Sequence, residues 1–121
     1  MKATPVVVDT APLVGCEQYR PLFDKYDWDA RIAYAIMRAE NRTCDPLRDN
    51  TGLNEDGTND VGIMQINSRH VASGFTTEES RRDPVQSIDT AYRLYKDRMR
   101  WDADGWNAWS SYLSGEYLKF K

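Results

Sequence analysis

A chain of 121 residues supports one modest core, and its 40% hydrophobic and 12% aromatic content excludes a disordered polymer. A formal charge of −3 and a pI near 5.1, with the arginines dispersed, exclude the basic stripe that nucleic-acid binding needs. The same acidity removes any electrostatic pull toward anionic cell walls, and no apolar run is long enough to span a membrane.

Residues 1–16 hold Pro5 and Pro12 and little helical periodicity, so an extended N-terminal arm is expected there. Residues 1–8 lack the apolar segment of a signal peptide. An exported chain would then be a mature segment or leave by another route. Residues 17–26 predict a short helix with Tyr19, Leu22, Phe23 and Tyr26 on one face and Pro21 in its first turn. A stronger helix is predicted over 28–42, capped by Asp27 or Asp29, with Trp28, Ile32, Ala35, Ile36 and Ala39 as its buried stripe. Glu40 falls on that stripe, four residues after Ile36. A carboxyl group on an apolar face is what general-acid chemistry uses, because partial burial favours the protonated form. The competing reading is a structural glutamate that reaches solvent beside an ordinary core helix.

The stretch 43–59 is polar, with turn signals at Asp45-Pro46 and Asp56-Gly57. Loops of this length inside a compact domain are usually functional. Residues 60–67 alternate Val61, Ile63 and Ile66 with smaller or polar groups, predicting a short strand or an irregular packed segment. A loop with room for a short helix follows over 68–82, and Arg81-Arg82 reads as a solvated pair of charges. Asp83-Pro84 starts a helix to about Arg100, marked by Val85, Ile88, Ala91, Tyr92, Tyr95 and Met99. Asp104-Gly105 starts a last helix carrying Trp106, Trp109, Tyr112 and Leu113, broken at Gly115. With no repeat and no linker, residues 17–121 form one expected domain.

Four Trp and seven Tyr could stack on sugar faces or simply pack a core. If the 60–67 segment is extended, the amides of Gln65 and Asn67 project to one side, suited to sugar hydroxyl and acetamido groups. Asp60 adds a carboxylate, and two carboxylates flanking a cleft is the arrangement of glycoside hydrolysis. Asp60 can equally be a turn or cap residue. A calcium loop is excluded: with Gly57 as its glycine, the first and twelfth positions would be Gly52 and Ile63, neither a carboxylate. Cys16 and Cys44 can be independent thiols. If they pair in an oxidising compartment, they close a loop of about 28 residues, worth about 3–4 kcal/mol. Two distant cysteines and the single histidine, His70, make a poor ligand set, so no metal and no cofactor is expected.

The segment Asp56-Gly57-Thr58-Asn59-Asp60-Val61-Gly62-Ile63-Met64-Gln65-Ile66-Asn67-Ser68 resembles the Asp-Gly-Ser-Thr-Asp-Tyr-Gly-Ile-Leu-Gln-Ile-Asn-Ser segment of animal C-type lysozymes. It resembles equally the Tyr-Asp-Ile-Gly-Leu-Met-Gln-Ile-Asn segment of soluble-lytic-transglycosylase-like proteins. The helix Ala35-Ile36-Met37-Arg38-Ala39-Glu40-Asn41 is similar to the one that carries the catalytic Glu of that family. Trp106 to Gly115 resembles its Ala-x-x-x-Tyr-Asn-x-Gly motif. Three motifs in order, over about residues 17–120, make the resemblance specific. Two cysteines and the long loop after Glu40 suit the bacterial or phage type.

The resemblance implies an α+β, predominantly α, lysozyme-like fold with a small irregular or β segment around 54–67. It implies an extracytoplasmic monomer that cleaves the β-1,4 bond between N-acetylmuramic acid and N-acetylglucosamine in peptidoglycan glycan strands. Glu40 would be general acid and base, and Asp60 the second carboxylate if the enzyme is a hydrolytic lysozyme instead of a lytic transglycosylase. Asn41, Asn54, Met64, Gln65, Asn67 and Tyr112 would contact substrate. Asn41 stands where the family usually has Ser, and Leu113 where it usually has a substrate-facing Asn. Those departures favour the competing reading, a peptidoglycan-binding or assembly module of the same fold; the retained Glu40 favours an enzyme.

Overall fold

The computed structural model describes residues 14–102 and 104–121. A 3-10 helix, Gly15–Lys25, leads into α1, Ala30–Glu40. A two-stranded antiparallel sheet follows, β1 Asp60–Val61 against β2 Ile66–Asn67, in the register Asp60 to Asn67 and Val61 to Ile66. Next come α2 Arg69–Ala72, α3 Glu78–Arg82 and α4 Pro84–Met99. A 3-10 turn, Gly105–Ala108, then α5 Ser110–Leu113, and a last 3-10 turn, Glu116–Phe120, complete the described residues. The fold is α+β and predominantly α, as expected, with its small β element inside the anticipated 54–67 segment.

The starts of α1 and α4 have the caps that their sequences promised. Asp29 accepts the backbone N–H of Arg31 and Ile32, and Asp83 accepts that of Gln86, with Pro84 in the first turn of α4. Thr77 caps α3 through Ser80 N. Gly115 ends α5 at φ +83, a left-handed conformation that favours glycine.

Four expectations are corrected in detail. The expected arm over 1–16 falls mostly outside the described residues, and at its end Gly15 and Cys16 already belong to the first 3-10 helix. Pro21 lies inside that helix and not in its first turn. The helix through Glu40 is shorter than 28–42, and it is not buried along one stripe: Ala33, Tyr34, Ala35, Ile36 and Met37 are all buried, while Ile32 and Ala39 are only partly so. The cause is packing from several sides, by the first and last 3-10 helices and by α5. The expected last helix is split, because Trp109 takes an extended conformation between the 105–108 turn and α5.

The core joins Phe23, Trp28, Ile36 and Met37 to Ile63, Met64 and Ile66 of the hairpin and to Ile88, Ala91, Trp106 and Trp109. Trp28 is its hub. Its ring stacks on Trp106 at 5.4 Å and meets Tyr92 and Tyr95 edge-on, and its indole N–H donates to Phe23 O at 2.9 Å. Cys16 and Cys44 are joined in a disulfide with Cα atoms 5.2 Å apart, tying the first 3-10 helix to the chain just after α1.

Candidate active site

Glu40 is the last residue of α1 and is half-buried, as its position on the apolar side of the helix implies. Its Oε2 accepts the backbone N–H of Ser111, in the first turn of α5, at 3.1 Å. This joins the carboxyl to an element 71 residues away and fixes its direction. No sequence signal points to Ser111, because only its main chain takes part.

The hairpin β1–β2 brings the second carboxylate. Asp60 Oδ2 accepts the side-chain amides of Asn50 at 2.8 Å and Asn54 at 3.1 Å, and Oδ1 accepts that of Asn67 at 2.8 Å. The Asp60 N–H donates back to Asn50 Oδ1. Asp60 is therefore held from the long polar loop on one side and from β2 on the other. It is not a cap of backbone amides. Asn67 also donates to Thr58 at 3.0 Å.

Between the strands the chain turns at Gly62–Gln65. Gly62 sits at φ +89, and its carbonyl accepts from Gln65 N at 3.1 Å, Gln65 Nε2 at 2.9 Å and Asn41 Nδ2 at 3.1 Å. Gln65 itself has φ +49. The expected pairing of Gln65 and Asn67 on one extended face is thus corrected: Gln65 is a turn residue whose amide N–H is directed to main-chain carbonyls.

Arg81 holds this hairpin from behind. Expected from sequence to be a solvated charge, its side chain is 1% exposed. Its guanidinium donates to Ile66 O at 2.9 Å and to Asn59 O at 3.3 Å, and pairs with both Glu78 carboxylate oxygens. Glu78, three residues earlier, is the available sign of a paired arginine. Those hydrogen bonds from Arg81 and Arg82 hold the Glu78 carboxyl below its ordinary range.

Glu40, Asp60, Gln65, Asn67 and Trp109 line one cavity of about 140 Å³. Arg69, His70, Leu94 and the 108–110 segment close its remaining walls. Asp60 and Asn67 also line a wider hollow of about 450 Å³ under the polar loop, with Asn54, Asp56 and Thr58. The two hollows share Asp60 and Asn67 of the β1–β2 hairpin, and together they form the candidate groove. Burial first, then the neighbouring Arg69 and Arg98, lowers the His70 pKa below the usual histidine value; Asp60 and Asp97 oppose this.

Of the expected substrate contacts, Asn54, Gln65 and Asn67 reach this groove. Three others are directed elsewhere. Asn41 is 0% exposed, and its amide donates to Asp45 O at 2.8 Å and to Gly62 O, while Asp45 N donates to its Oδ1 at 3.2 Å. Its groups are used up in joining the end of α1 to the loop and the hairpin. Met64 is 0% exposed in the core, and its carbonyl accepts the indole N–H of the buried Trp109 at 3.2 Å. Tyr112 donates its hydroxyl to Asp104 at 2.7 Å and stacks on Tyr117; that hydrogen bond, with burial, pushes its pKa up to about 12. Arg69, His70 and Leu94 line the cavity without belonging to any of the sequence motifs. Among the described residues no group of three or more His, Cys, Asp and Glu is arranged to hold a metal ion.

The transglycosylase SLT domain family matches this chain over residues 22–119. Invasion protein IagB of Salmonella typhimurium and of Salmonella typhi is 28% identical over 94 residues. That match takes in 74% of this chain and 57% of the relative, so the chain spans little more than half the length of these relatives. A lysozyme from Litopenaeus vannamei shares the fold, with a TM-score of 0.65 at 19% identity, over 86% of this chain and 87% of that one. The family's match over most of the chain, on a lysozyme-like fold, shows that the chain belongs to the transglycosylase SLT domain family.

Proposed function

We propose that this chain cleaves the β-1,4 bond between N-acetylmuramic acid and N-acetylglucosamine of extracytoplasmic peptidoglycan, as a lytic transglycosylase with Glu40 as general acid and base. The observation that carries the reading is Glu40 itself: a half-buried carboxyl on the groove wall, with one oxygen fixed by Ser111 N. Among the described residues the other oxygen has no hydrogen-bond partner, and it is left to serve the glycosidic oxygen. Protonation there breaks the bond from the muramyl C1 to the leaving oxygen. Glu40, now a carboxylate, takes the proton from the muramyl 6-hydroxyl as that oxygen bonds to C1. The product is a 1,6-anhydro sugar, and no water is consumed.

A second reading is favoured by one observation. Asp60 lines the same cavity as Glu40 and is oriented by three side-chain amides. A carboxylate so held could stabilise an oxocarbenium ion or act as nucleophile in a hydrolytic lysozyme. The third reading, a binding or assembly module, loses its support from Asn41, whose amide is engaged in joining α1 to the hairpin. Turbidity clearing of purified cell walls tests the enzyme reading. Wild type should clear them, and Glu40→Gln should be slower by at least about 10²–10⁴-fold while keeping its melting temperature. Equal clearing by both would remove Glu40 from the chemistry.

A further inference from the structure

The cavity beside Glu40 carries a cation that bond cleavage leaves unused. Arg69 is the first residue of α2, and its main chain is fixed by the hydrogen bond from its N–H to Asn67 Oδ1 at 2.9 Å. Its exposed side chain lines the same cavity as Glu40 and Asp60. Among the described residues its guanidinium has no ion-pair partner within 4.0 Å, whereas Arg81 and Arg82 are both tied to Glu78. His70, the next residue on that wall, has its pKa lowered by burial and by the adjacent cations Arg69 and Arg98, against the opposing pull of Asp60 and Asp97. Arg69 is therefore the cation on a wall shared with Glu40 and Asp60, in a protein of net charge −3.

An anionic substrate entering this groove meets repulsion from Asp60 and the molecule as a whole unless a cation receives its charge. A guanidinium suits a carboxylate, which it can bind through two parallel N–H groups. Resting on the glycan-cleaving reading above, we propose that Arg69 is a specificity-determining residue that binds a carboxylate carried by the muramyl sugar, on its lactyl group or on the attached stem peptide. The chain then prefers acidic glycan strands over neutral ones of equal length.

The test is binding in the Glu40→Gln background, where no strand is cut, with and without Arg69→Ala. Three probes are compared by calorimetry: glycan strands with stem peptides, strands stripped of peptide that retain the lactyl carboxylate, and neutral N-acetylglucosamine oligomers. The expected result is a fall of about tenfold in the acidic-to-neutral affinity ratio on Arg69→Ala, with partial recovery in Arg69→Lys and a preference that weakens with added salt. The lactyl carboxyl is amide-bonded in peptide-bearing strands, so loss on stripped strands alone assigns the lactyl carboxylate, loss on peptide-bearing strands alone assigns the stem, and loss on both assigns Arg69 to whichever carboxylate the strand presents. An unchanged ratio overturns the proposal. Because the readout is binding, a wild-type chain that binds these strands but cuts none would defeat the cleavage reading and leave this one decided by the same ratio.

Discussion

At Gly62 a side chain has nowhere to go. A Cβ there would lie 1.9 Å from the Arg81 carbonyl oxygen, on a backbone at φ +89. Both faults act together in Gly62→Ala, which should lower stability by at least about 3 kcal/mol, read as a shift in urea midpoint. Asn41 makes a contrasting case. Its amide satisfies the carbonyls of Asp45 and Gly62, so Asn41→Ala should cost about 2 kcal/mol of stability without a specific loss of glycan affinity. A loss confined to affinity, with an unchanged melt, would return Asn41 to the substrate face. The sequence could not separate these roles, because the amide chemistry that binds a sugar hydroxyl also binds a peptide carbonyl. The place of Glu40 beside the core was legible because helical period sets it four residues after Ile36; the three amides that hold Asp60 were not, since Asn50, Asn54 and Asn67 are gathered by the fold. Ser111 was not, since its contribution is a main-chain N–H.

The β1–β2 hairpin depends on elements well beyond it in the chain. Arg81 of α3 holds the carbonyls of Asn59 and Ile66, and Glu78 holds Arg81. The Glu78 carboxyl titrates below its ordinary value of 4.5 in the folded protein, chiefly through the Arg81 hydrogen bond. The folded state thus binds fewer protons there than the unfolded state. The stabilisation is present above about pH 4.5 and is lost as pH falls through the lower folded value. Glu78→Gln should therefore melt lower than wild type at pH 7, and the difference should shrink toward zero at strongly acid pH. A difference that stays constant with pH would separate the pair from stability. Arg81→Met removes the buried donor itself and should cost about 3 kcal/mol or more. The pair 81–82 has the local pattern of solvated charges, because burial of an arginine is decided by carbonyls of the 59–66 segment, which local pattern does not reveal.

For the molecule as a whole, hydrophobic period and helix caps made α1 and α4 readable, since Asp29 and Asp83 act locally. The shorter 3-10 segments are not separable from α-helix in the sequence, because so few turns leave no long periodic record. The separation of Gln65 from Asn67 was hidden for another reason: the turn needs a positive φ at Gln65, which the composition of 60–67 does not announce. The Cys16–Cys44 bond fastens the first 3-10 helix beside the end of α1 and the Asn41 junction. Cys16→Ser with Cys44→Ser should lower stability by about 3–4 kcal/mol. Two titratable thiols in the unreduced, denatured wild type would contradict the bond.

The products released from cell walls test the proposed chemistry most directly. Muropeptides made by wild type and by Asp60→Asn are compared by mass spectrometry, where anhydro and reducing ends differ by one water. The one-carboxylate path predicts anhydro ends from both proteins, with Asp60→Asn slowed about tenfold or less, about 1.4 kcal/mol. Reducing ends from wild type, together with an Asp60→Asn loss as large as that of Glu40→Gln, would contradict it and make the enzyme a two-carboxylate hydrolase.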